Sequence, residues 1–300
     1  MHKKQRGIKK VFLVFKRSLF QKKISLHRRH PLARRLYKEH VAHSRTIQKI
    51  REELKKHGIR FTATSRHKLP PLNRYDLVIT VGGDGTFLRA SHRVTRAHRV
   101  TRSHGVGRPA AGRQLMLGVN SNPASSVGAL CSMTLEEFPK KLKGILEGGG
   151  RTRRLNRLEI RVNGKNLRHL ALNDVLFCNT QPGGTSRYTI AVGGKKEEQK
   201  SSGVWISTSS GSTAAIHAAG GKIMPLFSPQ MQFLVREPYR GRHPPYRITG
   251  GMISPGRSIR FINLMLHAAL YIDGLQLVCP LRYGDRISIR NSPNPLTVIV

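Results

Sequence analysis

A buried strand followed at once by a glycine-rich turn is the feature that most constrains this fold. Residues Asp76–Val81 (DLVITV) are apolar without alternation, which is typical of a strand covered on both faces. The turn Gly82–Thr86 (GGDGT) follows directly, and a helix is predicted from Phe87. A strand, a turn and a helix in this order form the βα unit of a parallel sheet. The sequence therefore predicts an α/β domain around this segment.

Further apolar segments divide the chain into two predicted domains. Strands and amphipathic helices with helix-start and helix-stop signals fill the first half: Val11–Phe15, 32–57, Leu115–Val119 and Thr134–Glu147 with Thr134 as its N-cap. After Gly148–Gly150, short strands alternate with turns: Leu158–Val162, Leu170–Phe177, Tyr188–Val192, Val204–Thr208, Ile259–Ile262, Ala269–Ile272, Arg286–Ile289 and Thr297–Val300. The prediction is an α/β N-terminal nucleotide-binding domain over 1–150 and a β-rich C-terminal domain over 151–300.

Positive charge dominates the composition. The chain has 54 Lys and Arg residues against 15 Asp and Glu, a formal net charge of +39. Such a surface attracts nucleic acids and phosphorylated small molecules. The basic residues are spread along the chain, and no RNP-type aromatic motif, zinc knuckle or helix-turn-helix accompanies them. The charge fits a bias toward Arg at tolerant positions at least as well as a groove, so nucleic acid is not the predicted main partner.

Residues 93–113 form a basic segment with a repeat of its own. The tandem hexads RVTRAH and RVTRSH open it, and the remainder is rich in Gly, Ala and Arg without hydrophobic periodicity. This composition predicts a solvated loop inserted into the first domain. A role in binding phosphate is the alternative interpretation.

Neither a membrane span nor a disulfide framework is predicted. No run of about 18 apolar residues occurs. The three cysteines are widely spaced and form no CxxC pair, which favours a reducing compartment, the cytoplasm.

The stretch before Glu39 is basic and lacks acidic residues, so it also resembles an organellar transit peptide. We favour the strand interpretation, because Val11–Phe15 would otherwise be missing from the fold.

Three polar segments contain the candidate functional residues. In Gly82–Thr86 the glycines let backbone N–H groups approach phosphate oxygens, and Asp84 can accept a hydroxyl proton or face magnesium; a plain Gly-Asp-Gly turn is the alternative. Asn173 and Asp174 interrupt an apolar stretch, where they line a site or cap a turn. In 202–221 a strand is followed by a turn rich in hydroxyl groups and glycine. We interpret this turn as a binding site for a phosphate or a ribose, and a plain Ser/Gly linker is the less favoured alternative.

Together these segments resemble the NAD kinase family, and within it the plant NADH kinase branch. The motifs stand in order as VGGDGT at 81–86, LND at 172–174 and STSSGSTAAIHAAGG at 207–221. The similarity extends to LGVNSNP at 117–123, MPLFSPQMQFLVREP at 224–238 and YIDG at 271–274. It covers the chain from about Val11 to the end.

The resemblance implies a kinase that transfers the γ-phosphoryl of ATP, accompanied by Mg²⁺, to the 2′-hydroxyl of the adenosine ribose of NADH or NAD. It implies that Asp84 is catalytic and that Gly82, Gly83, Gly85 and Thr86 face the phosphates of ATP. It further implies contacts with NAD(H) from Asn173, Asp174, Ser202, Ser210 and Thr213. The same resemblance implies a homo-oligomer, since the family is usually dimeric or tetrameric, and we expect a dimer. No membrane partner is expected, because the chain has no apolar run long enough to span a bilayer.

Two positions and the basic segment depart from the common family pattern. Ser202 stands where many members have Asp, and Ala215 where many have Tyr. A missing carboxylate near the nicotinamide removes a charge that favours the cationic ring of NAD⁺ over neutral NADH. The segment 93–113 follows the helix after the GGDGT loop and could impair the site. A basic protein that binds nucleotides or nucleic acid without efficient turnover is therefore the alternative function.

A lipid kinase is a further alternative, because diacylglycerol and sphingosine kinases share a related GGDGT loop. They lack the LND and YIDG segments of this chain.

Overall fold

The computed structural model describes residues 7–22, 32–94, 114–123, 127–239, 241 and 245–300. The chain divides into two compact units, one formed by Met1–Arg153 with Leu296–Val300 and the other by Arg154–Pro295. In the ranges just given, no helix is both long and apolar enough to cross a membrane.

A largely parallel sheet forms the centre of the first unit. Its elements along the chain are β1 (Lys10–Phe15), α1 (Leu19–Lys22), α2 (Ala33–Lys56), β2 (Arg60–Ser65), β3 (Leu77–Gly82), α3 (Asp84–Ser91), β4 (Leu115–Asn120), β5 (Met133–Thr134), α4 (Phe138–Leu146) and β6 (Thr152–Leu155). The last strand of the chain, β19 (Leu296–Ile299), completes the sheet in the order β2-β1-β3-β4-β19-β6, with β5 beside β4. All six residues of β3 are buried, as expected for a strand covered on both faces.

Helix α2 packs on this sheet through residues at helical spacing. Its buried side chains recur every three or four residues, and Ile50 and Leu54 are fully enclosed in the core of the unit. The helix ends where Gly58 adopts φ +66° and donates its N–H to the carbonyl of Lys55. The predicted strand at Val11–Phe15 is confirmed, since β1 lies between β2 and β3.

The second unit is a sandwich of two antiparallel sheets. Along the chain it contains β7 (Leu158–Val162), β8 (Lys165–Asn166), β9 (Asp174–Asn179), β10 (Ser186–Val192), β11 (Lys195–Ser201), β12 (Val204–Thr208), α5 (Ala215–Ala218), β13 (Met231–Val235), β14 (Gly250–Ile253), β15 (Ser258–Asn263), β16 (Ala268–Ile272), β17 (Leu277–Leu281) and β18 (Arg286–Asn291). The sheet orders are β11-β10-β15-β18-β7-β8 and β14-β13-β12-β9-β16-β17. Phe177, Tyr188 and Phe261 from both sheets meet in its core with ring centroids 5.2–5.9 Å apart.

Two element boundaries differ from the sequence prediction because polar groups bond the backbone locally. Helix α3 begins at Asp84 rather than Phe87, since Gly83 is its extended N-cap and accepts the Thr86 N–H at 2.9 Å. Helix α4 begins at Phe138 rather than Thr134, since the Thr134 N–H donates to the Glu137 carboxylate and Thr134 belongs to β5. In both places the predicted helix was correct and its start was wrong.

Two further differences come from pairing at long range. The strand predicted over Leu170–Phe177 begins only at Asp174, because a distant carboxylate binds the N–H groups before it. The last strand belongs to the first unit, since Thr297 and Val298 pair in parallel with β4. The predicted second domain, 151–300, therefore does not include the C-terminal residues Leu296–Val300. Of the basic segment 93–113, residues 95–113 lie outside the described residues.

Candidate active site

The carboxyl ends of the parallel strands surround a pocket of about 440 Å³ in the first unit. Most of its lining residues follow directly after these strands: Lys16 and Arg17 after β1, Arg66 after β2, and 83–86 after β3. Helix α2 adds Leu36, Glu39 and His43 to the lining. Open α/β sheets bind their ligands at this edge, because the loops and helix N-termini there are free to face a ligand. The GGDGT loop therefore lines a pocket at the sheet edge where α/β proteins bind ligands.

The glycine turn brings backbone and hydroxyl donors to the start of α3. Gly82 has φ +151°, and a Cβ there would lie 2.7 Å from Thr86 Oγ1, so the close approach of these two residues requires glycine. The Thr86 hydroxyl is buried and has no hydrogen-bond partner among the described residues. The first N–H groups of a helix have no partner within the helix, so together with this hydroxyl they suit a phosphate group.

Asp84 is the first residue of α3, and its carboxylate is oriented by backbone groups. It accepts the N–H of Ala129 at 3.1 Å and that of Leu130 at 2.8 Å. These bonds hold the carboxylate at the pocket wall. Within the described part of the chain, Asp84 forms no ion pair with a Lys, Arg or His side chain. A fixed carboxylate at a pocket wall can orient a hydroxyl and take its proton.

Three cations face the same pocket. Lys16, Arg17 and Arg66 take part in no ion pair with the residues that the structure describes. Burial first, and the neighbouring Arg89 second, lower the pKa of the Arg66 guanidinium. An anion placed here would relieve both effects, because it offsets the lost hydration and the repulsion. The pocket therefore fits a polyphosphate.

His43 connects two of the strand ends that form the pocket. The ring is buried, with Nε2 donating to the Lys16 carbonyl at 2.8 Å and Nδ1 accepting from Ser121 Oγ at 2.8 Å. Burial is the largest cause that lowers the pKa of this imidazole, and the charge of Lys16 adds to it. The neutral ring fixes the loop after β1 against the loop after β4, so it positions Lys16.

In the second unit, Asn173, Asp174 and Ser210 come together. The Asn173 carbonyl accepts the Thr208 N–H at 2.9 Å, and Ser210 Oγ donates to the Leu172 carbonyl at 2.7 Å. Asn173 is 9% exposed, and its Oδ1 has no hydrogen-bond partner within the described residues. A buried acceptor of this kind is costly unless a ligand donates to it.

The Asp174 carboxyl is buried beside another carboxylate. Desolvation first, and the charge of Asp273 second, raise its pKa to about 7, while the Gly274 N–H acts in the opposite direction. Asp174 therefore exchanges a proton close to neutral pH, unlike an exposed aspartate.

Ser202 does not share this cluster. Ser202 precedes β12 and donates its N–H to the Arg236 carbonyl at 3.0 Å. Six residue steps separate Ser202 from Thr208, a span of roughly 20 Å at about 3.3 Å per step, so Ser202 lies beyond the end of β12 that is opposite to Asn173. Thr213 is exposed in the turn before α5, and Ala215 is the first residue of that helix.

Comparison with known proteins settles the family. A probable NADH kinase of Oryza sativa subsp. japonica is 30% identical to this chain over 280 residues, which cover 86% of this chain and 81% of the relative. The NADH kinase of Arabidopsis thaliana is 32% identical over 291 residues, with 86% and 83% covered. The chain belongs to the NAD kinase family. The resemblance read from the motifs, including the plant NADH kinase branch, is confirmed, although no family model matches the chain.

The fold of this NAD kinase family member agrees with a solved relative. The crystal structure of an NAD kinase from Archaeoglobus fulgidus in complex with ATP superposes with a TM-score of 0.67 at 21% identity, covering 97% of this chain and 93% of that one. The predicted fold class, an α/β N-terminal domain with a β-rich C-terminal domain, is thereby confirmed.

Several residues around these sites are not predicted by the motifs. Lys16, Arg66 and His43 line the pocket of Asp84, and Asp273 of the YIDG motif binds the backbone next to Asn173. A usable signal existed for Lys16, since it is a basic residue directly after a buried strand in an α/β domain. None existed for His43, because its partners Lys16 and Ser121 are distant in the sequence.

Replacing Arg66 tests whether this pocket binds the phosphates of the donor. We expect Arg66→Gln to raise the KM for ATP about tenfold or more, because a hydrogen bond to a charged group contributes about 1.5–3 kcal/mol. Arg60→Gln is the matched control, since Arg60 is exposed at the other end of the same strand. Initial rates at varied ATP and saturating NADH measure both. Equal KM values in the two variants would contradict the assignment.

Proposed function

We propose that this kinase transfers the γ-phosphoryl of ATP to the 2′-hydroxyl of the adenosine ribose of NADH or NAD. The proposal depends on the position of Asp84, which two backbone N–H groups hold at the wall of the pocket. The cations of the same pocket, Lys16, Arg17 and Arg66, form no ion pair with a carboxylate among the described residues. We infer the acceptor from the family, since the two plant relatives named above are a probable NADH kinase and an NADH kinase.

Phosphoryl transfer requires positioning and charge stabilisation more than covalent chemistry. In our proposal the backbone of 82–86 and the pocket cations bind and orient the phosphates of ATP. The Asp84 carboxylate orients the accepting hydroxyl and takes its proton as the new P–O bond forms and the bond to the ADP leaving group breaks. No other aspartate lies in this glycine turn.

Magnesium fits this pocket as a partner of ATP rather than as a resident ion. The described residues contain no group of three or more His, Cys, Asp or Glu side chains arranged to hold a metal. Mg²⁺ commonly binds through one or two carboxylates together with substrate phosphates, and Asp84 is such a carboxylate. When bound, the ion neutralises phosphate charge.

For the acceptor, we propose that Asn173 and Asp174 bind the ribose hydroxyls of the dinucleotide. Asn173 Oδ1 is the buried acceptor without a partner, and Ser210 keeps an acceptor lone pair after donating to Leu172. Ser202 and Thr213 enter the proposal from the family pattern. Because Ser202 is roughly 20 Å along β12 from Asn173, it contacts another part of the dinucleotide or the dinucleotide of a neighbouring copy. The proposed homo-oligomer would provide that copy.

The cytoplasm is the proposed compartment. Cys131, Cys178 and Cys279 are free thiols, which supports a reducing environment.

The acceptor preference is testable at Ser202. A carboxylate about 4 Å from a cation contributes roughly 1–4 kcal/mol, so its absence disfavours NAD⁺ more than NADH. We expect the wild type to phosphorylate NADH at least as well as NAD⁺, and Ser202→Asp to shift kcat/KM toward NAD⁺. Ser254→Asp, at an exposed turn after β14, controls for added charge. A ratio within twofold of wild type in Ser202→Asp would show that discrimination is set elsewhere.

The activity itself is tested with purified protein, ATP, magnesium and NADH. We expect ATP-dependent formation of NADPH. Dinucleotide binding without any NADPH formation would instead support a nucleotide-binding protein without turnover.

A further inference from the structure

Asp273 binds the backbone of the dinucleotide segment from about a hundred residues away. It follows β16, is 4% exposed and adopts φ +50°, an uncommon backbone conformation for a residue with a side chain. Its Oδ2 accepts the Leu172 N–H at 2.9 Å, and its Oδ1 accepts the N–H groups of Asn173 at 2.7 Å and Asp174 at 3.1 Å. One carboxylate therefore fixes three successive peptide groups.

The other side of this segment is fixed as well. The Asn173 carbonyl accepts the Thr208 N–H, and the Leu172 carbonyl accepts the hydroxyls of Thr208 and Ser210. The backbone of 172–174 is thus held on both sides, whereas Asn173 Oδ1 is left without a partner in the described residues. The fixed backbone therefore sets the direction in which the Asn173 side chain leaves the chain, and its Oδ1 is an unused acceptor for a ligand.

Asp273 also places a second carboxylate next to Asp174. The elements packed against Asp174 contribute the Ser207 hydroxyl from β12, opposite it in register, and Asp273 with the Gly274 N–H from the turn after β16. No Lys, Arg or His forms an ion pair with Asp174 among the residues that the structure describes. The proximity of two buried carboxylates makes the ionised form of Asp174 costly near neutral pH.

We propose that Asp273 is a positioning residue of the dinucleotide site, which fixes the backbone of 172–174 and, as a second buried carboxylate beside Asp174, makes dinucleotide binding depend on pH. The inference rests on the proposed function. Ribose hydroxyls donate hydrogen bonds to an ionised carboxylate, whereas a protonated carboxyl accepts fewer. Affinity is therefore full when Asp174 is ionised, above pH 7, and is lost as the pH falls through that value.

The experiment measures the KM for NADH at saturating ATP and magnesium from pH 5.5 to 9, together with NADH binding by calorimetry at each pH. For wild type we expect the KM and the Kd to rise up to tenfold per pH unit below about pH 7. Asp174→Asn should have a flat profile, because it lacks the titrating group. Asp273→Asn should move the inflection to lower pH, because the repelling charge is gone, with KM changed more than kcat. Asp285→Asn, at another turn carboxylate that accepts a backbone N–H, should behave as wild type.

The outcomes separate this inference from the proposed function. An inflection that persists unchanged in Asp174→Asn, or an Asp273→Asn protein that only melts at a lower temperature while its inflection stays in place, would overturn it. If Asp273→Asn does not fold, the Asp174→Asn profile still decides about the titrating group. NADH binding with the expected pH profile but no phosphorylation would reject the kinase function alone. Turnover with a pH-independent KM and Kd would reject the inference alone.

Discussion

Asp84→Asn is expected to lower the turnover of NADH phosphorylation by about 10²–10⁴-fold, the range that a general base contributes. The amide has the same size as the carboxylate, and its Oδ1 can still accept the N–H of Leu130. It cannot accept a proton from the ribose hydroxyl. Because Asn173 and Asp174 belong to the other unit and keep their contacts, the Kd for NADH should stay within a few-fold of wild type.

Asp76→Asn is the matched control for this prediction. Asp76 also accepts two backbone N–H groups, those of Lys9 at 3.0 Å and Lys10 at 2.9 Å, but it lies at the start of β3 instead of its carboxyl end. Single-turnover rates with ATP and magnesium compare the two variants, and calorimetry gives their NADH affinities. Turnover of Asp84→Asn within a few-fold of wild type would reject Asp84 as the catalytic residue. Equal losses in both variants would indicate a structural effect.

The parts of the fold that the sequence predicted are those in which local pattern and tertiary packing agree. β3 is apolar except for Thr80 and its final glycine and is buried throughout, so its composition alone was sufficient. β11 was missed, because KKEEQKS has neither an apolar run nor alternation; it forms a strand by pairing with β10 over seven residues. Pairing with a neighbour overrides local propensity there.

In the candidate site, too, local motifs were predictable and contacts between distant residues were not. The GGDGT loop and the Asn173–Asp174 pair were predicted because adjacent residues create each of them. The contacts that orient them were not: Asp84 is held by 129–130, and Asn173 by Asp273 and Thr208. These partners are separated by tens of residues, so their proximity is set by strand pairing and turn geometry. Periodicity and motif spacing contain no information about such contacts.

Gly211→Ala is expected to lower kcat/KM for NADH by about a hundredfold, mainly through a raised KM. A Cβ at Gly211 would lie 2.2 Å from the Asn173 carbonyl oxygen, 2.5 Å from its carbon and 2.7 Å from Ser207 Oγ. Two of these atoms are backbone, so relief requires the segment of Asn173 to move away from the turn. A displacement of about 1 Å at a substrate-positioning group can reduce the rate about 10²-fold. The variant should also lose roughly 1–3 kcal/mol of stability, as expected for overpacking.

Gly183→Ala separates this steric effect from the general effect of replacing a glycine. A Cβ at Gly183 meets no atom within 4 Å, and the residue lies in the same unit. We expect wild-type kinetics for Gly183→Ala, and for Gly211→Ala a raised KM for NADH with the KM for ATP nearly unchanged, because the pocket of Asp84 belongs to the other unit. Thermal melts establish that both variants are folded at the assay temperature. A Gly211→Ala enzyme with an unchanged KM for NADH would show that the backbone position of Asn173 does not control dinucleotide binding.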